Sequence, residues 1–426
     1  MRVLILGGSG LIGTAVATAL ACRGHSLTAV ARDIAAAFRR MDGIQWRSVD
    51  IAALAEPSDW EPYLGNMDCV VNCAGALQDG GRDDLMALQQ VAMTALYQAA
   101  LLPAPRLIVQ ISARTDSAGP PTAFLETKRR ADAALKESGL PCVILRPAIV
   151  IGHNAYGGSA LLRALAAFPV VTPLVNADTP MQFVALEDVA GAVADAIDGR
   201  IAPGSDLDLA AAETLTLAQA VALHRRWLGL PPAATIAVPS FAASLVSRIA
   251  DGLGYLGWRS PLRSTAMTIA SGGVADHAPP AGRSFKPLAK ILSTPAGVQD
   301  LWFARLYLLK APILGTLSLF WLLSGLIALI RFDASAQHLV SAGASPSVAG
   351  ALTLATSIAD IGLGIGVMFR RYAATALKAM LLLSATCLLS ATALTPALWA
   401  DPLGPLVKVL PSLTLTLVAL AILDER

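Results

Sequence analysis

A chain of 426 residues is too long for one ordinary core, so two or three domains are expected. A net charge of +2, with no basic stripe interleaved with aromatics, removes the electrostatic reason to expect a nucleic-acid partner. A charged fraction of 15% and a mean hydropathy of +0.60 exclude a chain that lies wholly in water, since soluble domains carry about 25% charged residues.

Taken in chain order, the opening run MRVLILGGSGLIGTAVATALAC is apolar, but Gly7, Gly8, Ser9 and Gly10 interrupt it. Leu20 also stands at the wrong position before Cys22 for a lipoprotein signal, so the segment is expected to belong to the mature fold. Residues 1 to about 200 then alternate strands with helices, the pattern of an α/β doubly wound parallel sheet. The expected strands are Val3–Leu6, Ser26–Val30, Gln45–Val49, Cys69–Cys73, Arg106–Ile111 and Pro141–Leu145. The expected helices between them include Leu11–Arg23, Leu85–Leu102 and Thr122–Glu137. From 201 to 300 the pattern loosens into a small, mostly helical subdomain, with helices over Thr216–Leu228 and Phe241–Leu256. The five cysteines have neither zinc nor disulfide-framework spacing, so no metal site is expected and a reducing compartment fits.

Past residue 300 the composition changes. Leu306–Ile330, Val348–Phe369, Ala373–Leu394 and Leu403–Leu423 are each long enough for a membrane crossing of about 20 residues. Joined by short loops, they predict a C-terminal all-α transmembrane four-helix bundle over 301–426. Arg305 and Lys310 stand at the entry to the first span, and Arg370, Arg371 and Lys378 cluster between the second and third. The other two loops hold Arg331 alone. The positive-inside rule then places both termini in the cytoplasm of a bacterial-type inner-membrane, multi-pass protein.

The glycine run Gly7-Gly8-Ser9-Gly10-Leu11-Ile12-Gly13 follows a strand and opens a helix. That context identifies a phosphate-binding turn, in which main-chain N–H groups approach a pyrophosphate at the helix's positive end. The end of the second strand should bear the residue beside the adenosine ribose. There Ala31 is followed by Arg32, which favours a 2′-phosphate and hence NADP, with NAD possible and Asp33 the alternative acid. Asp50 is placed either to bond the adenine amino group or to cap a helix.

These residues, with Asn72-Cys73-Ala74-Gly75, Ser112, Lys128, Arg146-Pro147 and the run Met181–Ile197, resemble the extended or atypical short-chain dehydrogenase/reductases with their NAD(P)-binding Rossmann fold. The membrane part resembles DoxX-like domains. The resemblance implies cofactor contacts by Cys73, Ala74, Gly75, Lys128 and Pro147. It also implies a catalytic Tyr four residues before Lys128, where this chain has Phe124, and a Ser partner at Ser112. A benzene ring donates no proton. His153 and Tyr156, in the loop after the sixth strand, are the substitute candidates. The leading expectation is a membrane-anchored NAD(P)-dependent oxidoreductase acting on a lipophilic or quinone-like substrate. The alternatives are a non-catalytic NADP(H) sensor or membrane-complex subunit, and isomerase or dehydratase chemistry.

Within the spans, Asp360 is either paired with Lys378, about 6 Å away in depth at 1.5 Å per residue, or a protonatable group near a quinone or lipid head. Lys310 and Lys408 are expected to snorkel, and Gly362, Gly364 and Gly366 to mark close helix packing.

Overall fold

The computed structural model describes residues 1–38, 41–81, 83–115, 122–275, 277–280, 282–402 and 404–423, without the side chains of 36, 38, 270 and 271. Leu403, the first residue of the fourth expected span, lies outside them. The chain divides into two units, residues 1–254 with 260–304, and residues 255–259 with 305–426.

The first unit is built on β1 (Arg2–Leu6), β2 (Ser26–Ala31), β3 (Gln45–Ser48), β4 (Cys69–Asn72), β5 (Leu107–Ile111) and β6 (Cys142–Pro147). Short strands follow: β7 (Ile149–Ile151), β8 (Val171–Leu174), β9 (Pro180–Met181), β10 (Phe183–Ala185), β11 (Asp206–Leu209), β12 (Leu215–Thr216) and β13 (Ala234–Ala237). The main sheet has seven strands in the order β11-β6-β5-β4-β1-β2-β3, and every neighbouring pair is parallel. β11 lies past residue 200, so the sheet runs on beyond the first expected boundary. The order reverses between β1 and β4, which opens a crevice at their carboxyl ends.

The helices of this unit are α1 (Leu11–Cys22), α2 (Ile34–Phe38), α3 (Pro57–Leu64), α4 (Ala92–Ala100), α5 (Ala123–Glu137), α6 (Gly158–Ala166) and α7 (Leu186–Ile197). They continue with α8 (Leu217–Trp227), α9 (Ser240–Tyr255), α10 (Ser264–Gly272), α11 (Leu288–Ile291) and α12 (Val298–Tyr307), the last running across the division at 304. Strand side chains alternate between faces. Val3 and Ile5 of β1 therefore join α1 and α7 in one core, while Leu4 and Leu6 join α3, α4 and α5 in the other. On α1 the buried residues are Gly13, Val16, Ala17 and Leu20, one helical stripe. A third core gathers Leu162, Phe183, Val221 and Leu288 around α6 and α8. The helix expected from Leu85 starts with a π-helical turn, Ala87–Val91, before α4.

In the second unit, α13 (Lys310–Ile330), α15 (Pro346–Met368) and α16 (Arg370–Leu394) are long and apolar enough to cross a membrane. The fourth expected span is helical only in part. α17 (Val409–Ala421) has 13 residues, which rise about 20 Å at 1.5 Å each, short of a hydrocarbon core about 30 Å thick. Pro402 and Pro405 precede it in turns, and Gly404 before Pro405 has φ +58°. The first inter-span loop is not short either, for it contains α14 (Phe332–Ser341).

α13 and α15 touch through small residues. A Cβ on Gly364 would lie 2.8 Å from Leu322 and 3.0 Å from the Ser318 carbonyl, and the Ser318 hydroxyl donates to the Gly364 carbonyl at 2.8 Å. Gly366 faces Ala376, but Gly362 faces open space, so its expected packing role is withdrawn. At one end of the unit, Trp258 donates to the Met368 carbonyl while Lys310 and Arg370 both donate to the Leu423 carbonyl. The same two cations lie over the Trp258 ring, at 5.7 and 5.6 Å. The start of α13, the α15–α16 joint and the end of α17 therefore share one end.

Candidate functional site

The glycines after β1 are required by space. Gly7 has φ +69°, and a Cβ there would meet the Ala74 backbone at 2.9 Å. A Cβ on Gly8 would meet Ala29 at 2.7 Å, and one on Gly13 would collide with the Gly7 carbonyl. Gly10 is the N-cap of α1 and its N–H donates to Gly7 at 3.0 Å. No side chain caps α1 and no acid occupies its first turn, which also holds Leu11 and Ile12. The result is an uncapped helix N-terminus beside Ser9 and Gly10, with the backbone free to approach an anion.

Across the crevice, Asn72 builds the second wall. Its amide donates to Gln110 at 2.8 Å and its Oδ1 accepts the Ala74 N–H at 3.0 Å, holding the Cys73-Ala74-Gly75 turn. The Cys73 N–H donates to the Leu6 carbonyl, joining that turn to β1. Burial pushes the Cys73 thiol up to about 12, which makes it an inert packing group rather than a nucleophile.

α5 starts on Thr122, whose hydroxyl accepts from Leu125 N–H at 3.3 Å. Its inward stripe at four-residue spacing is Phe124, Lys128 and Asp132. Lys128 is 5% exposed and donates to the Ile111 carbonyl at 3.0 Å; a Cβ on Gly75 would lie 3.6 Å from its Nζ. Burial pushes this ammonium below its ordinary value, with Asp132 and Cys73 pulling it back up. Gln89, in the π-helical turn, is buried beside Gly75, donates to the Ala76 carbonyl and accepts from Thr127 at 3.3 Å. Lys128, Gln89 and Gly75 thus meet at the carboxyl ends of β4 and β5.

Ser112 is turned away from this meeting point. Its hydroxyl donates to Asp132 at 2.6 Å, and Asp132 pairs with Arg146 at 2.9 Å. Arg146 continues to Asp206 at 2.7 Å, and Asp206 to Lys136 at 2.8 Å. Burial raises the Asp132 carboxyl above its usual range, against the opposing pull of Ser112, Arg146 and Lys128. Beside this chain of charges is a cavity of about 500 Å³ lined by Thr115, Arg146, Asp206, Asp208 and Pro280.

The remaining expected residues are dispersed. Arg32 is exposed and pairs with Asp83 at 2.8 Å. Asp50 accepts from Ala52 N–H at 3.3 Å, as the N-cap of a 3₁₀ turn. Pro147 ends β6. His153 and Tyr156 are both exposed on the loop before α6, with the Tyr156 backbone tied to Ser159. In the membrane unit the Asp360–Lys378 pair does not form: Asp360 accepts from Ser324 of α13 at 2.9 Å, and Lys378 is exposed. Gln89 and Asp132 escaped the sequence reading, although the four-residue stripe through Lys128 was the signal for Asp132.

The NAD(P)H-binding family model matches residues 7–198, and the DoxX-like family model matches residues 318–417. None of the curated proteins matches. Among solved structures, a nucleoside-diphosphate-sugar epimerase from Staphylococcus aureus superposes with a TM-score of 0.51 at 15% identity, covering 68% of this chain and 99% of its own. Similar too are a Bacillus cereus UDP-glucuronic acid 4-epimerase in complex with UDP-glucuronic acid and NAD (TM-score 0.49, 14% identity, 72% and 99% covered) and the Bordetella bronchiseptica enzyme WbmH in complex with NAD+ (0.49, 18%, 69% and 96%). At these identities the likeness is one of fold. The chain carries an NAD(P)H-binding domain with a Rossmann-type parallel sheet, followed by a DoxX-like domain whose unit holds three helices long and apolar enough to cross a membrane.

Proposed function

We propose that the protein is a membrane-anchored NAD(P)-dependent oxidoreductase, NADP-preferring, whose nucleotide site faces the cytoplasm and whose substrate is a lipophilic, quinone-like molecule. The observation that carries this reading is the buried Lys128 ammonium held against Gly75 and the Ile111 carbonyl, opposite the glycine turn. A nicotinamide dinucleotide, when bound, supplies hydride-transfer chemistry. The chain's own residues divide the remaining work. Gly7, Gly8, Gly10 and the α1 N-terminus hold the pyrophosphate, Lys128 and Gln89 orient the nicotinamide ribose, and Arg32 exchanges Asp83 for a 2′-phosphate. A lipophilic substrate suits α9, where Phe241, Leu245 and Ile249 stand exposed at four-residue spacing on one face. The basic residues at one end of the helical unit support a cytoplasmic orientation in a bacterial-type inner membrane.

A second reading, a non-catalytic NADP(H)-binding sensor or membrane-complex subunit, is favoured by the Ser112 hydroxyl being committed to Asp132 and by Phe124 in the Tyr position. Fluorescence titration of the purified chain should show NADPH binding, and no binding would overturn both readings. Lys128→Ala should weaken NADPH about tenfold, as expected for losing one charged hydrogen bond. Arg32→Ala should weaken NADPH by roughly 10- to 100-fold while leaving NADH nearly unchanged, and Asp83→Ala should tighten NADPH. Oxidation of bound NADPH by added quinones or carbonyl lipids separates the two readings: turnover supports the enzyme, and tight binding without turnover supports the sensor.

A further inference from the structure

α9 is amphipathic the wrong way round for a helix on a water-soluble domain. Phe241, Leu245 and Ile249 form one line along the helix and are 76%, 60% and 57% exposed, whereas Ser247 and Ala250 on the opposite side are each 6% exposed. Helices elsewhere in this unit bury their large apolar residues, as α1 does with Val16 and Leu20. The inward side of α9 is held by polar groups. Asp251 accepts from the Gln78 amide at 2.9 Å and from the Ser264 N–H at 3.2 Å, and lies 3.4 Å from the Arg263 guanidinium. The Gly254 carbonyl accepts the Gly81 N–H at 3.2 Å, and a Cβ on Gly254 would collide with Arg263. Pinned by its small and polar residues, the helix turns its large ones outward.

The path of the chain says what meets that face. α9 ends at Tyr255, and the residues after it are fastened to the α15–α16 joint: the Arg370 N–H donates to the Leu256 carbonyl at 3.0 Å, and the Trp258 indole donates to the Met368 carbonyl. That joint separates two helices long enough to cross a membrane, so it lies at a membrane surface, and α9 stops immediately before its anchor there. At 1.5 Å per residue, the 16 residues of α9 span about 24 Å, too short to cross a core about 30 Å thick. α12 repeats the arrangement, for it carries an exposed Trp302 and ends just before Lys310 starts α13. Exposed Tyr255 and Trp302 suit the headgroup layer, where such rings collect. Charge selects lipid over a second copy of the chain. Arg248 is exposed within the apolar face, and the one acid of α9, Asp251, is turned inward. Two such faces joined about a twofold axis would enclose both Arg248 cations with no acid from α9 to pair them, whereas lipid phosphate supplies the anion.

We infer that α9 is an interfacial helix, lying in the plane of the bilayer with Phe241, Leu245 and Ile249 among the acyl chains and Arg248 on lipid phosphate. It deepens the proposed function, since a substrate dissolved in the bilayer would then meet the Rossmann unit without crossing water. It rests on the membrane reading of the helical unit and not on cofactor binding or turnover.

The test uses the full chain in vesicles of phosphatidylcholine and phosphatidylglycerol, with the photoreactive p-benzoylphenylalanine in place of Phe241. That position is at the end of α9 remote from Tyr255, so a lipid adduct there reports the whole helix and not its anchored end. The same residue in place of Leu382, exposed midway along α16, is the bilayer control, and in place of Glu137, exposed at the end of α5, the water control. Irradiation followed by mass spectrometry of the peptides should give phospholipid adducts at 241 in a yield comparable to 382 and at least roughly tenfold above 137. Leu245→Glu with Ile249→Glu should lower the yield at 241 by about fivefold or more and leave that at 382 unchanged. An undiminished yield in a double variant that melts as the unsubstituted chain does would overturn the inference. If the double variant fails to fold, the three probe positions decide. Covalent dimers through 241 would assign the face to a second copy, and adducts at 382 without adducts at 241 would leave it in water; either result overturns the inference. No adduct at 382 would overturn the membrane reading and the inference with it. NADPH enters none of these readings, so failure of the cofactor site is a separate result.

Discussion

At the residue scale, the informative groups are those whose chemistry is altered by burial. His224 of α8 is fully buried, and its Nδ1 donates to the Ala220 carbonyl at 2.8 Å, so the other ring nitrogen carries no proton in the neutral form. Burial lowers it to about 4, the Ala220 carbonyl opposing and the nearby Arg163 adding to the shift. The unfolded chain takes up this proton near 6.5, whereas the native chain refuses it until about 4. Stability is therefore complete above about 6.5 and is lost as the pH falls toward 4, by about 3 kcal/mol from this one group. Thermal melts between pH 7 and pH 4 should show a shallower decline for His224→Gln than for the unsubstituted chain; equal slopes would refute the assignment. Site residues were legible to different degrees at this scale. Lys128 follows from its place after Ser112 and the glycine turn. Asp132 takes its meaning from Ser112, twenty positions earlier, and from Arg146 on another strand, and no local pattern reports such partners.

At the element scale, the sheet was readable because buried parallel strands are short apolar runs punctuated by turns. All six expected strands agree with the observed ones to within two residues at each end. The fourth span misled for a physical reason. Hydropathy sums composition, and Pro402, Gly404 and Pro405 are apolar or neutral in that sum while refusing helical geometry. The turn between β1 and α1 gives the test at this scale. Gly13→Val puts a side chain onto the Gly7 carbonyl, and should cost about 1–3 kcal/mol in overpacking and abolish dinucleotide binding. Gly191→Ala, in α7 with nothing within 4 Å of the added carbon, should be neutral or should stabilise by about 0.5–1 kcal/mol. Melting midpoints and NADPH titration of the two variants check both outcomes.

For the molecule as a whole, the helical unit returns its last helix to the end from which the first departs, since Lys310 and Arg370 both reach the Leu423 carbonyl. Reporter fusions near residues 340 and 372 should therefore report opposite sides of the membrane, with 372 on the cytoplasmic side. Identical signals at both positions would reject the proposed topology. The short Tyr255–Arg259 segment has a further consequence. It is assigned to the helical unit although the residues on both sides belong to the Rossmann unit, so the backbone passes between the units three times, after 254, after 259 and after 304. Cleavage after residue 304 would leave the Tyr255–Arg259 segment on the Rossmann fragment, covalently parted from the rest of the helical unit. Ending an expressed fragment there would leave the Trp258 indole without its Met368 acceptor and its two stacked cations. An isolated version of the Rossmann unit therefore needs the five-residue segment rebuilt as well as the helices removed.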